Sequence, residues 1–254
     1  MKSVDEIKEM KGKEKISMLT CYDFSMAKLI DGAVDMILIG DSLGMVMLGY
    51  KDTKSVTVQD MVRATEAVSR AVSSSMIVTD MPINSYDTKE NGLENAKRFI
   101  DAGAGAVKLE GNYPEIVKYL VENGIHVQGH IGYLPQTENK PTVHGKDDDD
   151  SKRLIEEARL LTDAGIFSLV FELIPSKLAE EITSSISIPT IGIGSGAKCD
   201  GQVLVIHDII GFYKEIRPRF VKKYGDVGDE VRKAAEKYNE EVKNGEFPVE
   251  DANR

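Results

Sequence analysis

Eight short apolar runs punctuate this chain: ISMLT (16–20), MILI (36–39), MIVT (76–79), AVKL (106–109), IHVQG (125–129), SLVF (168–171), IPTIGI (188–193) and QVLVI (202–206). They are apolar on both faces, as parallel strands are when helices cover them. The stretches between them carry helical patterns. In 151–164, SKRLIEEARLLTDA, Leu154, Ala158 and Leu161 share a face. In 88–101, Thr88 is a candidate N-cap, and Leu93, Ala96 and Ile100 lie to one side. Eight β-α units in about 210 residues is the rhythm of a (β/α)8 TIM barrel of the α/β class. A doubly wound open sheet is the competing architecture, but no dinucleotide fingerprint follows the first run. Residues 1–254 therefore read as one barrel domain with a charged helical tail at about 229–254. Within that tail DEVRKAAEKYNEEVK (229–243) carries a thin apolar stripe, suited to capping the barrel or reaching a neighbouring subunit.

Charge excludes one class of partner. The formal net charge is −10 and the pI about 5.0, whereas phosphate contacts need clustered Lys and Arg, so no nucleic-acid partner is expected. Cys21 and Cys199 are far apart and read as reduced thiols. The charged start MKSVDEIKEMKGKEK has no apolar h-region. No run approaches the roughly 18 apolar residues of a membrane helix. The expectation is a cytoplasmic protein without membrane contact.

The runs share an ending. DGAVDMILIGD (31–41), DAGAGAVKLE (101–110) and DAGIFSLVFE (163–172) each pass from an Asp and a helix-ending Gly into an apolar strand and then a carboxylate. SSSMIVTD (73–80) ends the same way. In a barrel the C-terminal strand ends all point to the face that carries active sites. Asp41, Asp80, Glu110 and Glu172, at the same offset, are thus expected at one mouth. Like charges gathered there need a cation or protons, and an all-oxygen set favours Mg2+ over Zn2+. Ser42 adds a hydroxyl beside Asp41. Lys108 lies two residues before Glu110, facing the same way; it is either a structural ion pair or a cation for a substrate carboxylate. A neutral Schiff-base lysine fits less well beside carboxylates, which keep an ammonium charged. His130, in VQGHIGYLPQ, ends a strand as either a core residue or a lining residue of the site. GIGSG (192–196) has the composition of a phosphate-binding turn in a late β-α loop, as Gly-rich turns at many strand ends do. The segment TENKPTVHGKDDDD (137–150) reads as a polar surface loop whose acids sit near the N-terminus of the next helix.

With those residues placed, the chain resembles the ketopantoate hydroxymethyltransferase (3-methyl-2-oxobutanoate hydroxymethyltransferase) family through nearly its whole length. The resemblance is carried by MLTCYDFSMAKL (18–29), GDSLGMVMLGY (40–50), TDMPINSY (79–86), AVKLEG (106–111), GHIGYLPQ (129–136), FELIPSKLAEEIT (171–183) and IPTIGIGSG through DGQVLVIHD (188–208). It implies a barrel of the phosphoenolpyruvate/pyruvate type. It also implies hydroxymethyl transfer from 5,10-methylenetetrahydrofolate to 3-methyl-2-oxobutanoate, giving 2-dehydropantoate for pantothenate and coenzyme A, through a Mg2+-stabilised enolate. By motif, Asp41 and Asp80 resemble the metal ligands, with Glu110 a third acid acting through water. Asp41, Ser42, Asp80 and Lys108 resemble the 2-oxo acid site, and Glu172 is similar to the general base. Glu172 lies between Phe171 and Leu173, an apolar setting that makes a carboxylate a more capable base. The run LGMVML after Ser42 reads as loop and wall around a water-poor site. The resemblance further implies a homo-oligomer, most simply a decamer. The chain departs from the family at 137–150, which is shorter and lacks a Gly-Gly-Tyr-Lys stretch before a Gln-Gly pair. Family contacts to folate from that stretch therefore do not transfer, and the loop is expected to be a mobile edge of the site with little apolar surface for docking. Two other readings stand beside this one: a C–C lyase or mutase of the same barrel type acting on another 2-oxo acid, and a barrel kept only as a scaffold.

Overall fold

The computed structural model describes residues 1–213, 215 and 218–249, so the last part of the tail expected at 229–254 lies outside the described residues. The apolar runs form strands β1 (Ile16–Thr20), β2 (Met36–Ile39), β3 (Met76–Asp80), β4 (Ala106–Lys108), β5 (Val127–Gly132), β6 (Ser168–Glu172), β7 (Thr190–Ile193) and β8 (Gly201–Leu204). Each pairs in parallel with the next, and β8 returns to β1, closing the barrel. Helix α1 (Val4–Glu9) precedes the barrel. α2 (Phe24–Ile30) follows β1, and α3 (Leu43–Val46) and α4 (Val58–Ser69) follow β2. α5 (Lys89–Asp101), α6 (Pro114–Glu122), α7 (Asp148–Asp163) and α8 (Ser176–Ser185) follow β3 to β6 in turn. The expected barrel is the observed one, except that β7 and β8 are joined by turns alone.

Two compact units divide the chain, Met1–Val205 and Ile206–Arg254. The first is the barrel. The second contains α9 (Ile206–Ile209) and α10 (Val227–Asn244). No residue of α10 is buried, and Val231, Tyr238 and Val242 are exposed along it.

The barrel is filled from one end. Val4, Ile7 and Met10 of the α1 region pack with Met18, Met36, Leu38, Met76, Val78, Val170, Ile191 and Val203 in one buried cluster. The unbranched thioethers fill the irregular space between strands that converge on the axis. A capping box of Ser3 and Glu6 starts α1. Just beyond it, Lys11 Nζ donates to Asp200 Oδ2 (2.8 Å) and the Thr183 carbonyl (2.9 Å). With the N-terminal end plugged, the opposite mouth is left for chemistry.

Outside the barrel, α7 buries Leu154, Ala158 and Leu161 as its spacing predicts. α5 begins after the Thr88 cap, but its buried face is Gly92, Asn95, Ala96 and Phe99. Leu93 and Ile100 are only half-buried, because the Asn95 amide faces inward to donate to the Ser85 carbonyl at 2.9 Å. The aspartate run is not loop. Asp147 caps α7 by accepting the Asp150 N–H, and Asp148, Asp149 and Asp150 form its first turn, where carboxylates meet the positive end of the helix dipole.

Candidate active site

The four strand-end acids occupy two offsets rather than one. Asp80 and Glu172 are the last residues of β3 and β6, whereas Asp41 and Glu110 lie two residues past β2 and β4. Asp41 reaches the mouth across Gly40. A Cβ at position 40 would lie 2.8 Å from Ser42 Oγ, so a glycine lets the chain fold this tightly over the strand end. The Asp41 N–H then donates to Asp80 Oδ2 at 3.1 Å. Ser42 occupies the N-cap position of α3 without making a cap bond; its hydroxyl pairs with the Tyr22 hydroxyl at 2.9 Å. Behind it Leu43 and Gly44 are buried, while Met47, Leu48 and Tyr50 are exposed. The apolar run after Ser42 is a short helix, part wall and part surface.

Lys108 ends β4 in register with Asp80. Its Nζ lies 2.6 Å from Asp80 Oδ1 and 3.9 Å from Glu110 Oε1, with all three side chains buried. Burial works against the ammonium, but the charges of Asp80, Glu110 and Asp41 outweigh it and raise the lysine pKa. Lys108 stays charged, which leaves no room for a neutral Schiff-base nucleophile.

His130 does not end its strand. β5 runs on to Gly132, and His130 lies inside it, opposite Val170. Its Nδ1 is 3.5 Å from Glu110 Oε1 and its Nε2 is 3.3 Å from Glu172 Oε2. Both are ion-pair distances, and neither contact is aligned as a hydrogen bond. Burial and the nearby Lys108 disfavour the imidazolium, yet Glu110 and Glu172 together push the His130 pKa up to about 9. The ring lies between two acids that favour its protonated form. The apolar setting expected for Glu172 is therefore replaced by an imidazole contact. Its partly exposed side chain faces His130, while Phe171 is fully buried.

The structure adds a residue that sequence reasoning missed. Gln136, buried in the turn after β5, donates its amide to Asp41 Oδ2 (2.9 Å) and to the Met81 carbonyl (2.9 Å). Its own N–H donates to Glu110 Oε2 at 3.1 Å, and its Oε1 accepts the Tyr86 hydroxyl at 2.6 Å. It closes GHIGYLPQ, and Tyr86 closes TDMPINSY, so a polar residue ending an apolar motif was the available signal. Replacing Gln136 with Leu is expected to leave Asp41, Met81 and Tyr86 short of a buried partner. The expected cost is about 2 kcal/mol or more, read as a lower urea midpoint at unchanged slope.

GIGSG braces the β6 end. The Ser195 hydroxyl donates to the Phe171 carbonyl (2.8 Å) and accepts the Ile174 N–H (3.1 Å). The loop 137–147 is exposed over 139–143, as a polar surface loop should be, and packs at Gly145. A Cβ at Gly145 would meet Leu178 and Leu154, and its N–H donates to Asp150.

The mouth is anionic. Burial, then Glu110 and Asp80, hold the Asp41 pKa well above the ordinary range against the pull of Lys108 and Gln136. Burial likewise raises Asp80, with Lys108 opposing it. Glu110 is lowered despite burial, chiefly by His130, then Lys108 and the Gln136 N–H. A cation bound among these carboxylates would favour their ionised forms. Among the described residues no group of three or more His, Cys, Asp or Glu side chains is placed to hold a metal ion unaided. The all-oxygen pair Asp41 and Asp80 instead fits Mg2+, which takes one or two carboxylates and completes its shell with water and substrate.

The chain is a closed (β/α)8 barrel with acids from separate strands at its C-terminal mouth, and its fold is like that of several solved barrels. It overlays on 2,3-dimethylmalate lyase with a TM-score of 0.62 and 14% identity, covering 100% of this chain and 93% of that one. It overlays on phosphonopyruvate hydrolase in complex with oxalate and Mg2+ with a TM-score of 0.63 and 12% identity, covering 99% and 91%. At such identities the likeness concerns the fold. The chain belongs to the ketopantoate hydroxymethyltransferase family, whose model matches residues 1–250. It is 50% identical over 254 residues to a 3-methyl-2-oxobutanoate hydroxymethyltransferase of Syntrophus aciditrophicus (strain SB), covering 96% of this chain and 93% of the relative. It is 52% identical over 246 residues to the enzyme of that name from Clostridium kluyveri, covering 94% and 88%. The chain is accordingly a hydroxymethyltransferase, and the lyase, mutase and scaffold readings are set aside.

Proposed function

We propose that this chain moves a hydroxymethyl group from 5,10-methylenetetrahydrofolate to 3-methyl-2-oxobutanoate, forming 2-dehydropantoate on the route to pantothenate and coenzyme A. The observation that carries the reading is the division of the mouth. Asp41, Asp80 and Lys108 gather on one side, Glu172 stands apart, and His130 lies between Glu110 and Glu172.

Asp41 and Asp80 are the residues that would hold Mg2+ directly, with Glu110 acting through water, since its oxygens already face His130 and the Gln136 N–H. When bound, Mg2+ supplies Lewis-acid stabilisation of the negative charge that spreads onto the 2-oxo acid as C3 loses its proton. Lys108 and the Ser42 hydroxyl bind and orient the substrate carboxylate. Glu172 removes the C3 proton, and His130 holds the Glu172 carboxylate in place. Water adds to the folate-borne methylene as both of its carbon–nitrogen bonds break and the two nitrogens take up protons; the electron pair left on C3 forms the new carbon–carbon bond to that carbon, which keeps the water oxygen as its hydroxyl. The family match and the names of its relatives support this assignment.

Among the described residues no helix is long and apolar enough to cross a membrane, and the cytoplasm is the compartment we assign. The exposed apolar residues of α10 support self-association as a homo-oligomer, with the decamer as the form implied by resemblance.

The test needs no folate at first. In D2O with Mg2+, the C3 proton of 3-methyl-2-oxobutanoate should exchange, and chelation should stop it. Methylenetetrahydrofolate should then yield the hydroxymethylated acid. Exchange undiminished by chelation overturns the metal; absence of exchange with Mg2+ overturns the substrate or the base.

A further inference from the structure

The backbone beside Glu172 is held in a conformation its own residue disfavours. Leu173 has a φ of 51°, the left-handed region where a Cβ crowds the following carbonyl oxygen. Neighbouring segments hold it there. The Leu173 N–H donates to the Ile193 carbonyl (3.0 Å), and the Glu172 carbonyl accepts the Tyr133 N–H (2.8 Å). The Leu173 carbonyl accepts the His144 N–H at 3.1 Å. Of these anchors, His144 belongs to the long loop between β5 and α7, and side chains fix that loop. His144 Nε2 lies 3.0 Å from each Glu138 carboxylate oxygen, and Nδ1 lies 3.6 Å from Asp150 Oδ2. Glu138 Oε1 also accepts the Leu134 N–H (3.1 Å), and Asp150 Oδ2 also accepts the Gly145 N–H. One imidazole thus joins the start of the loop to the first turn of α7.

We infer that His144 is a positioning residue: the clasp Glu138–His144–Asp150 keeps the His144 N–H on the Leu173 carbonyl, and so keeps the Glu172 carboxylate turned toward His130. The inference rests on the reading of Glu172 as the base. His144 touches no reacting atom. Its effect passes through the loop backbone and the left-handed Leu173 to the angle at which β6 presents its last residue. Asp41, Asp80 and Lys108 belong to the ends of other strands and are outside its reach.

The test uses the full chain with Mg2+ and 3-methyl-2-oxobutanoate. His144→Ala keeps the backbone N–H but releases the loop. It should lower kcat for C3 proton exchange by about 10- to 100-fold, the scale of a small misplacement of a reacting group. KM, and the affinity for Mg2+ alone by calorimetry, should be unchanged. His144→Gln, whose amide nitrogen reaches Glu138, should recover most of the loss. Leu173→Gly in the His144→Ala background should also recover exchange, because glycine takes a positive φ without a Cβ; a merely loosened fold would be worsened by a further glycine. If His144→Ala does not fold, Glu138→Ala, which removes the acceptor of the clasp, carries the same expectations. Wild-type exchange in His144→Ala, an equal loss of Mg2+ affinity, or no recovery with Leu173→Gly each overturns the clasp. Glu172→Gln run alongside separates the two ideas. If that variant retains exchange, the base reading fails; if it loses exchange while His144→Ala does not, the clasp alone fails.

Discussion

Glu172→Gln is expected to lower Mg2+-dependent C3 proton exchange by about 10²–10⁴-fold, the usual contribution of a general base. Gln keeps the shape and half-buried position of the side chain and removes its basicity. The fold should survive, because His130 retains Glu110 as an anionic partner at 3.5 Å. Mg2+ affinity should also survive, because Asp41 and Asp80 are on other strand ends. Exchange by NMR in D2O and Mg2+ titration by calorimetry are read on one preparation. Near-normal exchange would falsify the role, and a parallel loss of Mg2+ binding would show that Glu172 belongs to the metal site.

Asp41→Asn and Asp80→Asn are each expected to weaken Mg2+ by at least about 10–100-fold, the loss that removal of an outer partner alone can bring. Binding of the 2-oxo acid should fall with it if, as proposed, the substrate completes the same site. The two variants should part company in the absence of metal. Asp41 is a buried acid whose pKa is raised, chiefly through burial and then Glu110 and Asp80, more than Lys108 and Gln136 lower it. Its ionisation costs the metal-free fold stability as pH rises from the unfolded value toward the folded one. Asn removes that cost, so Asp41→Asn should be at least as stable as the parent at pH 7. Asp80→Asn takes the nearest counter-charge, 2.6 Å away, from buried Lys108. It should be less stable by up to about 3–5 kcal/mol, moderated by Glu110 at 3.9 Å. Urea denaturation in chelator and calorimetry with Mg2+ measure the two halves. Unchanged Mg2+ affinity in both variants rules out this ligand pair.

Much of this site is legible from the chain because acids at strand ends are a local pattern. Once the runs at 36–39, 76–79, 106–109 and 168–171 are read as strands of a barrel, Asp41, Asp80, Glu110 and Glu172 must share a mouth. Strand limits are less legible. IHVQG suggests a strand stopping at Gly129, whereas the pairing of Gly132 with Glu172 carries β5 three residues further and places His130 inside it. A Cβ at Gly132 would lie 2.1 Å from the Glu172 carbonyl oxygen. The glycine that looks like a turn is what lets the two strands meet. The loop at 137–150 is legible in part. Its polar stretch 139–143 is exposed and its acids start α7, as composition suggests, but the contacts of His144 with Glu138 and Asp150 depend on distance through space.

Periodicity and residue type by themselves determined the barrel, the N-cap of α5, the inward face of α7 and the identity of the acids at the mouth, because each follows from spacing along the chain. The tertiary structure alone decided the partners. Gln136 meets Asp41 across 95 positions of sequence, and Tyr86 meets Gln136 across 50. The imidazole of His130 is drawn toward its protonated form only because the barrel brings Glu110 and Glu172 to its opposite nitrogens. Charge state and hydrogen-bond partnership depend on distance through space and on exclusion of water, and closure of the barrel sets both.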